Sequence, residues 1–192
     1  MTMVKTAGMR LFVAVVPPPA AIQELTGVVA ALRGLPQGRA LRWTGEPTWH
    51  VTLAFLGQVE AEAVSGLEAR LAAVAEGRPA PELRLAGGGC FGDRALWAGL
   101  RGDTGPLRAL AEAVTDAARS TGVDLDDRPF RPHLTLARTA GRSTAGGLGP
   151  LAAALTDFSG SSWTATPLRL IRSHLGAGPP HYETVGEWTL DG

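Results

Sequence analysis

The sequence predicts a mixed α and β chain built from two successive β-α-β-α-β halves that face one another across a groove. Three observations predict it. The chain holds only 4 His, and two of them sit in one frame, His50-Val51-Thr52-Leu53 and His133-Leu134-Thr135-Leu136, an interval of 83 residues. Short apolar runs alternate with apolar stripes at helical spacing. Shifting the first half by the motif interval lays strand on strand and helix on helix, the mark of a degenerate internal duplication.

Leu11 to Val16 is an apolar run stopped by Pro17-Pro18-Pro19, which predicts a buried strand. Ile22, Leu25, Val28, Val29 and Leu32 follow at helical spacing and Gly34 ends that helix. Pro36 to Trp43 is expected to be a loop, and Trp49 to Leu56 the strand that carries the first motif. Val64, Leu67, Leu71 and Val74 form a second helical stripe, broken by Pro79 and Pro81, and Leu83 to Leu85 begins another strand. Gly87-Gly88-Gly89 lacks the frame of a phosphate-binding loop and is expected to be a turn between strands. The order then returns. Ala95 to Leu100 is a strand; Leu107, Leu110, Val114 and Ala117 mark a helix closing near Gly122. Pro132 to Arg138 carries the second motif, and Thr139 to Gly149 is a long loop. Leu148 to Leu155 is a short helix, Leu168 to Ser173 a strand, and Tyr182 to Leu190 the final strand. Met9, just ahead of the first strand, marks residues 1–8 as a short tail and leaves 9–192 as a single two-lobed domain.

A length of 192 residues with 45% hydrophobic content supports one packed domain of this kind. Lys+Arg 18 against Asp+Glu 18 gives no net field that would advertise a long nucleic acid, although a local patch suffices for a small or terminal one. Cys90 is the only cysteine, so the sequence excludes an intrachain disulfide and a cysteine metal cluster, and it fits a reducing cytoplasm. Met1 to Arg10 lacks the apolar core of a signal peptide, and no apolar run reaches membrane-spanning length.

In a strand, residues i and i+2 share a face. His50 therefore points with Thr52, and His133 with Thr135, each pair backed by apolar neighbours. Two such pairs across a groove suit in-line displacement at phosphorus. A neutral imidazole takes a proton from the attacking oxygen and a protonated one gives a proton to the leaving oxygen. The two hydroxyls donate to the non-bridging oxygens, where charge accumulates. A strained cyclic phosphodiester needs no metal and no cofactor for this. There is no H-E-x-x-H, no C-x-x-C and no G-x-S-x-G, so zinc and serine-hydrolase chemistry are poor fits.

These residues resemble the two-histidine (2H) phosphoesterase superfamily and, within it, the bacterial and archaeal RNA 2′,3′-cyclic phosphodiesterases, also called 2′-5′ RNA ligases. Arg10-Leu11-Phe12-Val13-Ala14-Val15 is similar to the opening strand. Arg42-Trp43 with Trp49-His50-Val51-Thr52-Leu53-Ala54-Phe55-Leu56-Gly57 is similar to the first motif region. Phe130-Arg131-Pro132-His133-Leu134-Thr135-Leu136-Ala137-Arg138 is similar to the second, and Ser173-His174-Leu175, Gly178-Pro179 and Tyr182-Glu183 to the closing hairpin. The resemblance implies a bilobal α+β fold with antiparallel sheets lining a central groove. It implies hydrolysis of RNA 2′,3′-cyclic phosphate ends, on tRNA halves or short oligonucleotides, to 2′-phosphates. His50 is then the acid and His133 the base, and the reverse reaction is 2′-5′ ligation. It also makes Arg138 a phosphate contact. Strict alternation sets Arg138 opposite His133 unless a bulge re-aims it, whereas Arg131 has the favourable parity.

Trp43, Phe12, Phe55 and Phe130 are available to stack on a terminal base; for Phe12 and Phe55 core packing is the expectation. Tyr182 is expected at the groove or in packing. Arg128 and Arg142 add field or are solvated, His174 and His181 are expected to be exposed turn residues, and Cys90 to be buried and inert. A monomer is the default. Two other readings remain open on the residues: a non-catalytic RNA-end or nucleotide-binding module, and a phosphodiesterase for small cyclic nucleotides.

Overall fold

Every side chain from Leu11 to Val15 is buried, and a strand buried on both faces reads as a continuous apolar run. This is β1 (Met9–Val15). The prolines stop it and then start the next element, because a proline in the first turn forfeits no helical hydrogen bond. Pro19 opens α1 (Pro19–Gly34), which buries Ala21, Leu25, Val29 and Leu32. The remaining elements are β2 (Leu41–Trp43), β3 (Val51–Val59), α2 (Ala61–Ala75), β4 (Glu82–Phe91), β5 (Ala95–Gly102) and α3 (Thr104–Arg119). They are followed by β6 (His133–Thr139), α4 (Gly149–Ala154), β7 (Trp163–Thr164), β8 (Leu168–His174) and β9 (His181–Trp188). The structure, a computed structural model, describes residues 8–140, 147–176, 178 and 180–191. Apart from Gly8, the expected tail 1–8 lies outside them, as does most of the loop after β6, Arg142 included.

The strands form two antiparallel sheets, ordered β3-β1-β8-β9 and β2-β6-β5-β4-β7. The expected duplication is visible in that order. The triplet β3-β1-β8 corresponds to β6-β5-β4, with the motif strand at the same place in each. The third strand of each triplet comes from the opposite half of the chain, so β4 joins the second half's sheet and β8 the first half's. The halves are thereby interlocked. Between them α2 packs on α3, α3 on β3, and β3 against β6. The apolar face of α3, Leu107, Leu110, Ala111, Val114 and Ala118, lies in the core with Val51, Leu53, Leu134 and Leu136 from the motif strands. Each large aliphatic side chain buried there contributes about 1.5–3 kcal/mol.

Two local expectations are corrected. The segment Pro36 to Trp43 is not all loop: it makes a 3-10 turn at Gly38–Ala40 and then β2, which pairs with β6. Gly87-Gly88-Gly89 is not a turn between strands. It runs inside β4, and the turn falls at Gly92 to Arg94. The glycines serve packing: a Cβ on Gly88 would collide with Leu155 and one on Gly89 with the Trp97 indole, while Gly87 takes φ +63° at a register shift. Strand β7 has two residues and no periodicity to read. Among the described residues, no helix is long and apolar enough to cross a membrane.

Candidate active site

His50 stands immediately before β3, and His133 opens β6. Their immediate surroundings repeat. His50 Nδ1 lies 2.7 Å from the Thr48 carbonyl oxygen and His133 Nδ1 lies 2.6 Å from that of Arg131, each two residues upstream. A carbonyl only accepts, so each neutral ring carries its proton on Nδ1 and keeps Nε2 as the free base. The rings are fixed from both sides. Phe12 lies 4.7 Å and Tyr182 5.4 Å from His50, centroid to centroid; Phe91 lies 4.8 Å and Trp97 6.2 Å from His133.

Burial pushes His50 below the ordinary imidazole range. The Thr48 hydrogen bond opposes that and the charge of His133 adds to it. Burial lowers His133 also, opposed by the Arg131 carbonyl and reinforced by Arg138. The charge of one motif histidine thus reaches the other. Thr52 and Thr135 are half-buried on the same faces, register-paired with Ala14 and Trp97. Among the described residues, neither hydroxyl has a hydrogen-bond partner, so both are free to donate.

Arg138 is the residue that alternation alone misplaces. Along β6 the pairs run His133↔Gly99, Thr135↔Trp97, then Ala137↔Leu96 and Arg138↔Ala95, so Leu136 is left without a partner. Leu136 and Ala137 are consecutive and both fully buried. That bulge reverses the parity and turns Arg138 onto the histidine face. Its charge reaches both His133 and Tyr182.

Thr44 holds the bulge in place. Its N–H donates to the Leu136 carbonyl at 2.9 Å, and its hydroxyl lies 2.8 Å from the same oxygen and 3.0 Å from that of Thr135. The same hydroxyl oxygen accepts from Trp49 Nε1 at 2.9 Å. Thr44, with no motif to signal it, thus joins the second motif to the residue preceding His50.

The aromatic expectations divide. Trp43 is not in the groove. Its register partner is the buried Ala137, its indole N–H donates to Gly38 O at 2.8 Å, and the Arg33 guanidinium sits 5.4 Å over its ring. Its neighbour Arg42 holds the histidine-face position instead, paired with Arg138. Phe130 packs partly buried against the core. Phe12 is buried as expected, but in a small cluster with Ala14, Ile171 and Tyr182 that lies apart from the main core. Phe55 overturns the core expectation: it is 65% exposed, paired with Phe12.

Tyr182 touches the site edge-on at His50 and Phe12. Burial raises its hydroxyl pKa, with Arg138 and Arg10 opposing. The Arg131 side chain is exposed, and its contribution to the site is the carbonyl that holds His133. Arg128 pairs with Asp126 at 3.2 Å on the surface. His174 and His181 are strand-end rather than turn residues, register-paired, with His174 Nε2 2.8 Å from Glu183. Cys90 is a partly buried free thiol packed against the core. Among the described residues, no group of three or more His, Cys, Asp or Glu side chains converges as metal ligands do. Phe91, Trp97, Arg10, Arg42 and Thr44 had no site role in the sequence reading. Arg42 lies in a segment expected to be a loop, and all five needed the strand order.

Two interlocked antiparallel sheets whose motif strands each carry an H-x-T pair define a two-histidine phosphoesterase. The model of the LigT-like phosphoesterases matches residues 15–97 and 102–181, and the chain belongs to that family. It is 36% identical over 157 residues to an RNA 2′,3′-cyclic phosphodiesterase of Geobacillus stearothermophilus, covering 78% of this chain and 48% of that one. It therefore spans about half the length of that relative. It is 30% identical over 152 residues to an RNA 2′,3′-cyclic phosphodiesterase of Aeropyrum pernix, covering 78% of this chain and 86% of that one. Among solved structures, E. coli LigT complexed with 3′-AMP superposes with a TM-score of 0.78 at 27% identity, covering 95% of this chain and 98% of that one.

Proposed function

We propose that the protein hydrolyses the 2′,3′-cyclic phosphate at RNA ends to a 2′-phosphate. The observation that carries this reading is the repeated tether: two imidazoles, each held through Nδ1 by the carbonyl two residues upstream, each left with a free Nε2. The relatives' names supply the substrate class.

His133 Nε2 takes the proton of the attacking water, and the Arg138 cation beside it favours the neutral ring that a base must be. The water oxygen bonds to phosphorus as the bond to O3′ breaks. His50, protonated on Nε2 when the anionic substrate is bound, gives its proton to O3′. Thr52 and Thr135 donate to the non-bridging oxygens, joined by Arg138, as their charge grows. Phe55 offers an exposed ring to the terminal base. With the 5′-hydroxyl of a second RNA in place of water, the same displacement of O3′ joins the two ends through a 2′-5′ linkage, and water at its bulk concentration favours hydrolysis. A monomer in the reducing cytoplasm completes the reading. Product analysis of a cyclic-ended oligonucleotide tests it. A 2′-phosphate is expected, and a 3′-phosphate would show that the other oxygen leaves.

A further inference from the structure

Arg42 and Arg138 are direct partners in the antiparallel β2–β6 ladder, so their side chains rise from the same face. Both are exposed, and among the described residues neither has a carboxylate partner. Like charges set opposite one another in a sheet are destabilising, and a chain with 18 basic and 18 acidic residues has carboxylates available to neutralise them. Arg10 lies in the other sheet on β1, on the face of Phe12 and Ala14, paired with the uncharged Gln58. Tyr182 feels both Arg10 and Arg138, which sets these two cations from the two sheets near one ring.

The positions separate two tasks. Arg138 reaches back to His133. Arg42 lies one strand farther out, about 4.8 Å in the pairing direction. Four pleat steps, about 13 Å of strand, separate its level from that of His133. An RNA end carries its next anion on O5′ of the terminal nucleoside, one nucleotide back from the cyclic phosphate. A guanidinium fork matches such a phosphate with two parallel hydrogen bonds.

We infer that Arg42, together with Arg10 and with Arg138 shared between the two phosphates, forms a second anion subsite for the phosphate on O5′ of the terminal nucleotide. This rests on the hydrolase reading above and deepens it. The enzyme measures the end of a chain and discriminates against a cyclic mononucleoside phosphate with a free 5′-hydroxyl.

The test compares three compounds: adenosine 2′,3′-cyclic phosphate, its 5′-phosphorylated form, and the ApA dinucleotide with a 2′,3′-cyclic end. The wild type is expected to turn over the second and third with kcat/KM about tenfold or more above the first, the worth of one charge-assisted contact. Arg42→Gln and Arg10→Gln should each shrink that preference several-fold, Arg42→Lys should restore part of it, and the salt dependence of kcat/KM for ApA should flatten. A preference for ApA alone that Arg42→Gln leaves intact would assign the gain to the extra base and overturn the subsite. Equal losses on all three compounds would overturn it as well. If the wild type cleaves none of them, the hydrolase reading fails by itself. Equilibrium binding of the same intact compounds to wild type and Arg42→Gln then decides the subsite by the same preference.

Discussion

Thr44 Oγ1 accepts a 2.9 Å hydrogen bond from Trp49 Nε1 while its own proton goes to the carbonyls of Thr135 and Leu136. One hydroxyl thus joins the residue before His50 to the strand that carries His133 and Arg138. Thr44→Val keeps the shape and removes both links. The Leu136 carbonyl keeps the Thr44 N–H and the buried Trp49 indole N–H loses its acceptor, so the expected stability loss is about 1–3 kcal/mol. The expected effect on catalysis is larger: kcat falls about tenfold or more with KM little changed, because misplacing the reacting groups costs rate more than binding. Thr44→Ser should restore kcat. Loss of stability with normal kcat in the folded fraction would make Thr44 a purely structural residue.

His50→Ala and His133→Ala each remove one proton transfer, worth about 10²–10⁴-fold in rate. Both variants are expected to fold with near wild-type thermal transitions and to lose hydrolysis of a cyclic-ended oligonucleotide by at least the lower figure. The double variant should be barely worse than either single one, since the pair acts as a unit. Independent, multiplying losses would contradict a shared cleft. Thr52→Val and Thr135→Val should show smaller losses, in kcat rather than KM, as expected for donors that tighten on the transition state.

Burial is the chief cause that lowers both imidazoles from the ordinary value of 6.5. The free enzyme at neutral pH therefore holds both rings neutral. The base is ready and the acid lacks its proton. Since kcat/KM reports the free enzyme's groups, it should rise as pH falls toward 6.5, peak below that value, and fall again once the base is protonated too. A bound phosphate stabilises the imidazolium, so kcat should peak at higher pH than kcat/KM. Rate profiles from about pH 4.5 to about 9 check the sign. An optimum of kcat/KM on the alkaline side would mean that desolvation is not what sets these groups.

The two motif histidines were legible as a pair because both sit in a repeated strand motif, and strand parity alone sets each on the face of its threonine. The elements with long periodic stripes, α1, α2 and α3, were legible for the same reason. What failed was whatever depends on pairing. Trp43 and Arg42 are adjacent, and only the β2–β6 register decides which of them faces the histidines. Arg138 lies on the wrong face by counting and on the right one by the bulge at Leu136, a feature fixed by Thr44 from 92 residues away. Phe55 reads as a core residue in an apolar strand until its partner Phe12 is known to lie on the sheet face turned away from the main core. The glycines of β4 read as a turn because the indole they make room for belongs to another strand.

Phe12 and Phe55 face one another across β1 and β3 with ring centroids 5.9 Å apart, yet they should fail in opposite ways when truncated. Phe12 is 2% exposed and lies against His50, Phe55 and Tyr182. Phe12→Ala opens a cavity under the acid, and a loss of about 3–5 kcal/mol in stability is expected together with a fall in kcat. Phe55 is 65% exposed, so Phe55→Ala should leave the unfolding free energy within about 0.5 kcal/mol of wild type. A base stacked on it would be worth about 1–3 kcal/mol, so KM for a cyclic-ended oligonucleotide should rise several-fold with kcat nearly unchanged. Leucine at this position should recover little, because it has no flat face, and tyrosine should recover most. Denaturant melts and Michaelis constants on the same four variants separate the two roles. A KM that ignores residue 55 would remove the stacking surface from the mechanism and leave Phe55 as an exposed ring without a task.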